Sequence, residues 1–248
     1  MKNLIVLYRW VVAMTTMTIT GGLSLILIFL SFGYLRNFCV QYIIKYSSRF
    51  ILLVMGFKGV FPPVEQFPDY PVLYTFNHNS YLDIFLLTGV GLPNLRFLLS
   101  EKTLIYVPLV ISAKAAGTFY IPQKHHAERR LKFFIRITNF LKRKHLSIAG
   151  ASEGVHKYLH GIAPFNRGIY HMALEAKLPV VALYIHIPIE SNPFKGQKHA
   201  VGGTLKLEII GEFPTSDWTF EHLDAHIAEV RKVYVNRFNE LNPENPCV

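Results

Sequence analysis

The sequence predicts an α/β fold: a single domain with a largely parallel, mixed sheet flanked by helices, preceded by an N-terminal helical membrane anchor. Three observations carry that expectation. Strand-like apolar runs alternate with helical patterns from Val72 onward. No charged residue occurs between Trp10 and Leu35, a run of 26. The chain's 248 residues suffice for one full α/β core with an appendage. The boundaries that follow are an anchor over 1–57, a linker over 58–71 and the main domain over 72–248.

The uncharged run is too long for the apolar core of a signal peptide and ends without a small-x-small cleavage site. A straight span needs about 20 apolar residues. The middle of the run, however, reads MTTMTITGG, polar and weakly helical at Gly21-Gly22. A break there leaves two halves, each too short to cross a bilayer. The anchor is therefore either one tilted span or a hairpin dipping into one leaflet. Asn37 to Phe57 is apolar but carries Lys45 and Arg49, which predicts a helix along the interface with both cations snorkelling outward. Arg36, Lys45, Arg49 and Lys58 follow the run and only Lys2 and Arg9 precede it, which places the main domain on the cytoplasmic side, that of the inner membrane if the chain is bacterial.

The stretch Pro62 to Pro71 (PPVEQFPDYP) holds four prolines and reads as the linker. Strands are expected at Val72–Phe76, Leu95–Leu99, Thr118–Ile121, Leu146–Ala149, Val180–Ile187 and Thr204–Ile210. Helices are expected over Tyr81 to Val90, Glu128 to Lys144, Arg167 to Ala176 and Thr219 to Leu241. The last places Leu223, Ile227, Val230, Tyr234 and Phe238 on one face. In the second, Leu131, Phe134, Ile135, Thr138 and Leu141 mark an inward stripe.

Apolar residues make up 51% and charged residues 17% of the chain, with a net charge of +10. An anionic partner is expected. The charge is concentrated: Lys124 to His145 holds eight Lys or Arg against Glu128 alone. That face suits an anionic membrane surface. No nucleic-acid motif accompanies it, which argues against nucleic acid. Cys39 and Cys247 stand in no motif and imply neither a disulfide framework nor a zinc site. His125 and His126 are adjacent and His156 and His160 are four apart, but no H-E-x-x-H accompanies them, so no metal is expected.

The stretch FNHNSYLDIF, Phe76 to Phe85, concentrates chemistry at a strand-to-helix junction. Two readings stand. Ser80 followed by Asp83 is a capping-box pattern, and Asn77 and His78 suit the turn. Alternatively, His78 in the turn and Asp83 in the first helical turn can meet. Asp83 then accepts a hydrogen bond from one ring nitrogen, and the other takes a proton from a hydroxyl. No G-x-S-x-G elbow is present and neither cysteine is placed as a nucleophile.

NHNSYLD resembles the HxxxxD signature of the glycerolipid acyltransferases, the family that includes the lysophosphatidic acid acyltransferases. GTFYIPQ, Gly117 to Gln123, resembles that family's second block, with Gln123 in place of an arginine. ASEGVHKY, Ala151 to Tyr158, resembles the third, Phe-Pro-Glu-Gly-Thr-Arg, and keeps Glu153 and Gly154. PFNRG, Pro164 to Gly168, is similar to the Phe-Lys-x-Gly stretch that follows. LEAKLPVVALYI, Leu174 to Ile185, resembles the fourth.

The resemblance implies transfer of a fatty acyl group from acyl-CoA or acyl carrier protein, as donor substrate, to the hydroxyl of a lysolipid. His78 would be the general base, Asp83 its orienter, and no cofactor is required. It assigns substrate contact to Asn79, Ser80, Gly117, Gln123, Glu153, Gly154, Val155, His156 and Arg167. Helix N-terminal amides near Asn79 to Tyr81 would steady the oxyanion. The departures bear on the acceptor. Gln123 and His156 stand where the family's arginines meet a phosphate, and Val155 where a threonine is usual. Lys124, Lys157 or Arg167 are the available substitutes. A lysolipid without a terminal phosphate monoester, such as a lyso-ornithine lipid, is therefore an expected alternative acceptor. A non-catalytic lipid-binding relative is the reading from another class, and the intact His78 and Asp83 argue against it.

Overall fold

Helix α1 (Lys2–Leu30) carries the uncharged run without interruption in the computed structural model, which describes residues 2–78, 80–154, 161–188 and 202–247. The expected break at Gly21-Gly22 does not occur. Hydroxyls of this stretch bond back along the helix, Thr18 to the Met14 carbonyl and Thr20 to Thr16, at 2.9 and 2.8 Å, and just beyond it Ser24 bonds to the Thr20 carbonyl at 2.7 Å. The chain turns instead after Leu30. Phe32 and Gly33 adopt positive φ (52° and 93°), and the Gly33 amide closes on the Ile28 carbonyl at 2.7 Å.

The other elements are α2 (Arg36–Phe38), a π-helical stretch Cys39–Ile44, α3 (Lys45–Val54), β1 (Phe57–Val60), β2 (Leu73–Phe76), α4 (Asp83–Val90), β3 (Leu95–Ser100), α5 (Val107–Ala116) and β4 (Phe119–Ile121). After them come α6 (Ala127–Lys144), β5 (Ser147–Ala151), α7 (Arg167–Ala176), β6 (Val180–His186), β7 (Gly203–Phe213) and α8 (Leu223–Leu241). The strands form a mixed, mostly parallel sheet in the order β1-β7-β6-β2-β5-β3-β4. All six expected strands and four expected helices are present within a few residues. The sequence pattern marked neither β1 nor α5.

The chain forms two compact units, one within 1–66, 79–120 and 185–207, the other within 67–78, 121–184 and 208–248. In the first, α1 lies on α5. The Ser112 hydroxyl donates to the Met17 carbonyl at 2.8 Å, and a Cβ on Gly21 would come within 2.7 Å of that hydroxyl. Gly21 is thus a point of close helix approach. Arg36 donates to the Lys114 and Ala115 carbonyls (3.1 and 2.8 Å) and so closes the C-terminus of α5. Arg49 does not snorkel outward. It donates to the Gly89 carbonyl at 2.8 Å and stacks on Phe61, because α4 ends beside it with an open carbonyl. The Lys45 stem likewise lies against Gly91. The face of α1 turned from these contacts exposes Leu4, Val11, Ile19, Ile26 and Phe29.

In the second unit, β2 is the central strand. It pairs in parallel with β5 (Phe76 opposite Ala151) and with β6 (Phe76 opposite Leu183). All four β2 residues are buried, as a parallel strand covered on both faces requires. Helix α8 buries Leu223, Ile227, Val230, Tyr234 and Phe238, the expected face. Helix α6 is rotated from expectation. It buries Phe133, Ile137, Thr138 and Leu141, and leaves Leu131 and Ile135 61% and 48% exposed. Two apolar stripes share Thr138 and Leu141 on this helix; the observed one turns Phe133 and Ile137 inward and leaves Phe134 half-buried at its edge.

Candidate active site

In a parallel sheet, ligands bind beyond the carboxyl ends of the strands, and this is where the second unit gathers its polar groups. Strand β2 ends at Phe76 and leads into Asn77, fully buried, and His78, half-buried. The His78 ring stands edge-on to Phe76 with centroids 6.2 Å apart. The neighbouring strand β5 ends at Ala151 and leads into Ser152, Glu153 and Gly154. The Ser152 amide donates to the Phe76 carbonyl at 3.1 Å, so the turn after β5 is tied to the end of β2.

That turn is clamped by one residue. Asn166 precedes α7, where an asparagine ordinarily caps the first amides. Here its Nδ2 donates instead to the Ser152 and Glu153 carbonyls at 3.2 and 2.5 Å, and its own amide donates to the Ser152 carbonyl at 2.7 Å. Gly154 has φ +75°, and a Cβ there would lie 2.5 Å from Asn166 Nδ2, so both backbone and space demand glycine. The Asn166 Oδ1 accepts from Lys124 Nζ at 3.3 Å. Glu153 is 5% exposed.

Behind this edge lies a set of buried hydroxyls. Ser152 shares a hydrogen bond with Tyr170 and Thr75 one with Tyr234, both at 2.9 Å. Burial pushes both phenols above their ordinary range, Tyr234 well above it. They hold the ends of β2 and β5 in one arrangement.

In the first unit, Ser80 and Asp83 form half of the expected capping box. Asp83 Oδ2 accepts the Ser80 amide at 3.1 Å, while the Ser80 hydroxyl accepts the Leu82 amide at 3.3 Å. Asp83 is 2% exposed, a carboxylate committed to the start of α4. Immediately after it, Ile84, Phe85 and Thr88 line a cavity that Met17, Ile44, Ile51, Phe97 and Leu109 make predominantly apolar. Gly117 closes α5 in the left-handed conformation (φ +79°) beneath Arg96, whose guanidinium is pushed down to about 10 by burial and then by Arg36.

The remaining residues are distributed as follows. Gln123 is half-buried, and its carbonyl accepts the His126 amide at 3.0 Å. Arg167 is committed elsewhere: it pairs with Asp224 at 3.1 Å and donates to the Phe220 carbonyl at 3.1 Å. Asn79, Val155 and His156, with Lys157 and His160, lie outside the described residues. Asn166 and the Thr75, Tyr170 and Tyr234 hydroxyls were not singled out in the sequence. Only the fold shows that the asparagine side chain turns to another segment.

A family model described as Acyltransferase matches residues 62–186, about half of the chain. The chain belongs to the Acyltransferase family. Among its relatives is a 1-acyl-sn-glycerol-3-phosphate acyltransferase of Cocos nucifera, 21% identical over 203 residues (78% of this chain, 62% of the relative). The Saccharomyces cerevisiae protein of that name is 24% identical over 194 residues (76% and 62%). The human alpha form is 21% identical over 178 (71% and 62%). The chain spans about three-fifths of the length of these relatives. The crystal structure of PlsC from Thermotoga maritima, a 1-acyl-sn-glycerophosphate acyltransferase, shares the fold: TM-score 0.76, 20% identity, 98% of each chain covered.

Proposed function

We propose that this protein is a membrane-associated O-acyltransferase of lipid biosynthesis, moving a fatty acyl group from acyl-CoA or acyl carrier protein to a lysolipid hydroxyl. The observation that carries the reading is the emergence of His78 from the end of the central parallel strand, beside the clamped turn that holds Glu153 and Gly154, in a chain of this family. His78 takes the proton of the acceptor hydroxyl as the oxygen attacks the thioester carbonyl. The tetrahedral intermediate collapses, the C–S bond breaks, and the thiolate leaves with the proton from His78. Asp83 is the orienter of His78, its position fixed by the Ser80 amide.

The apolar cavity that starts one residue after Asp83 suits an acyl chain. Helix α1, with Leu4–Leu30 apolar and long enough to cross a membrane, anchors the protein where its lipid acceptor resides, with the main domain on the cytoplasmic side. The basic surface of α6 supports contact with anionic lipid or an acidic carrier.

The test offers the purified full chain labelled acyl-CoA and acyl carrier protein, each with a panel of lysolipids, and identifies the product. Formation of a diacyl lipid from one pairing is expected. No product from any pairing, with a folded protein, would refute the reading.

A further inference from the structure

The two family positions that would meet an acceptor phosphate hold no arginine here, Gln123 and His156 standing in their place. The structure narrows what replaces them. Arg167 is paired with Asp224 and the Phe220 carbonyl. Arg130 donates to the Pro122 carbonyl and lies over Phe134. Lys142 pairs with Glu175. Lys124 is different: it is exposed, and among the described residues its ammonium meets an amide oxygen and no carboxylate.

We propose that Lys124, positioned by Asn166, is the cation that receives the phosphate of the acceptor's headgroup. Asn166 makes the connection. Its Nδ2 is fixed by the Ser152 and Glu153 carbonyls, so its Oδ1 must point away from the turn, towards Lys124. The Ser152 amide links the same turn to the end of β2, two residues before His78. The ammonium thereby stands at the strand ends that carry the proposed base. A contact of 3.3 Å to an exposed neutral oxygen is long for a hydrogen bond and adds little stability. It costs a side chain with high rotamer entropy. A lone lysine offers a point charge in place of a bidentate fork, which suits a phosphodiester, with one charge, at least as well as a monoester with nearly two.

The inference rests on the acyltransferase reading for the nature of the ligand, but its test is binding and needs no turnover. Titration calorimetry on the full chain in detergent would measure Kd for lysophosphatidic acid, lysophosphatidylglycerol and uncharged monoacylglycerol. Lys124→Met should weaken one or both phosphate lipids about ten- to hundredfold, the scale of one charge-assisted hydrogen bond. Monoacylglycerol should move less than about threefold on the same scale. The lipid with the larger loss names the headgroup. Lys124→Arg should retain most of the affinity. Asn166→Ala should act in the same direction, and the double variant should be no worse than Lys124→Met alone, since both remove one contact.

Unchanged Kd for both phosphate lipids in Lys124→Met would overturn the proposal, as would an equal loss for monoacylglycerol. Lys124 is exposed, so its variants fold. If the wild-type protein binds these lipids but turns over no donor, the acyltransferase reading falls and the Lys124 assignment stands.

Discussion

Asp83 and Gln123 represent two different kinds of proposed site residue. Asp83 is buried and held by the Ser80 amide, so replacing it with asparagine preserves shape while removing the charge that would stabilise a protonated His78. Asp83→Asn should lower kcat at least about 100-fold with KM for the acceptor little changed. A variant retaining a third of wild-type kcat would exclude Asp83 from the proton-transfer machinery. Gln123 belongs to the proposal for the acceptor. Gln123→Arg with His156→Arg should raise kcat/KM for lysophosphatidic acid, relative to a phosphodiester lysolipid, by about tenfold, the value of a charge-assisted hydrogen bond. No change in that ratio would mean that neither position faces the headgroup. The spacing of His78 and Asp83 was legible as a pattern with a chemical reason, and the structure sets His78 after β2 and Asp83 at the start of α4. Asn166 was not, because its contact joins segments 13 and 14 residues apart that no local pattern connects.

At the scale of elements, the lessons come from α1 and α6. Alternation and apolar periodicity were enough to mark six strands and four helices, since burial of the parallel strands enforces the pattern they show. The break at Gly21-Gly22 was misread because glycine weakens an isolated helix, whereas here it admits a neighbour: α5 approaches where a Cβ would meet Ser112. Gly21→Val should therefore destabilise by about 1–3 kcal/mol through overpacking. Gly22→Val, with nothing within 4 Å of its Cβ, should not. Equal effects, measured by thermal denaturation in detergent, would show that helix propensity is what matters. On α6 the true inward stripe makes a parallel contrast. Ile137→Ala should cost about 2–5 kcal/mol, and Ile135→Ala, at an exposed position, within about 0.5 kcal/mol. A large loss from Ile135→Ala would restore the stripe that the sequence suggested.

For the molecule as a whole, buried phenols set an alkaline limit. Tyr74, Tyr170, Tyr184 and Tyr234 are all pushed above their ordinary range, chiefly by burial. Unfolded, each ionises near pH 10; folded, each stays neutral to higher pH. Their contribution is complete below about pH 10 and is lost as pH climbs towards the folded values. Denaturant unfolding should show stability falling by about 1.4 kcal/mol per pH unit per phenol above that point. Tyr170→Phe should reduce the slope by one phenol's share, and an unchanged slope would contradict the assignment. Placement in the membrane is a second whole-molecule question. With α1 unbroken, its apolar length permits a full crossing, yet the turn at Phe32-Gly33 and the helices that follow also permit a hairpin in one leaflet. Single cysteines at Lys2 and Lys58, in a background without Cys39 and Cys247, distinguish the two in sealed vesicles. The hairpin, with both sites labelled from the cytoplasmic side, is the expected result, and labelling from opposite faces would establish a span.

The central claim is that His78, at the end of the central strand, is the base of an acyl transfer to a lipid hydroxyl. Turnover of the His78→Ala protein tests it most directly, using the donor and acceptor pair that the product assay identifies. The account predicts a loss of at least about 100-fold in kcat, the usual scale for a general base, in a protein that remains folded and membrane-bound. A His78→Ala protein that kept more than a tenth of wild-type turnover would contradict it.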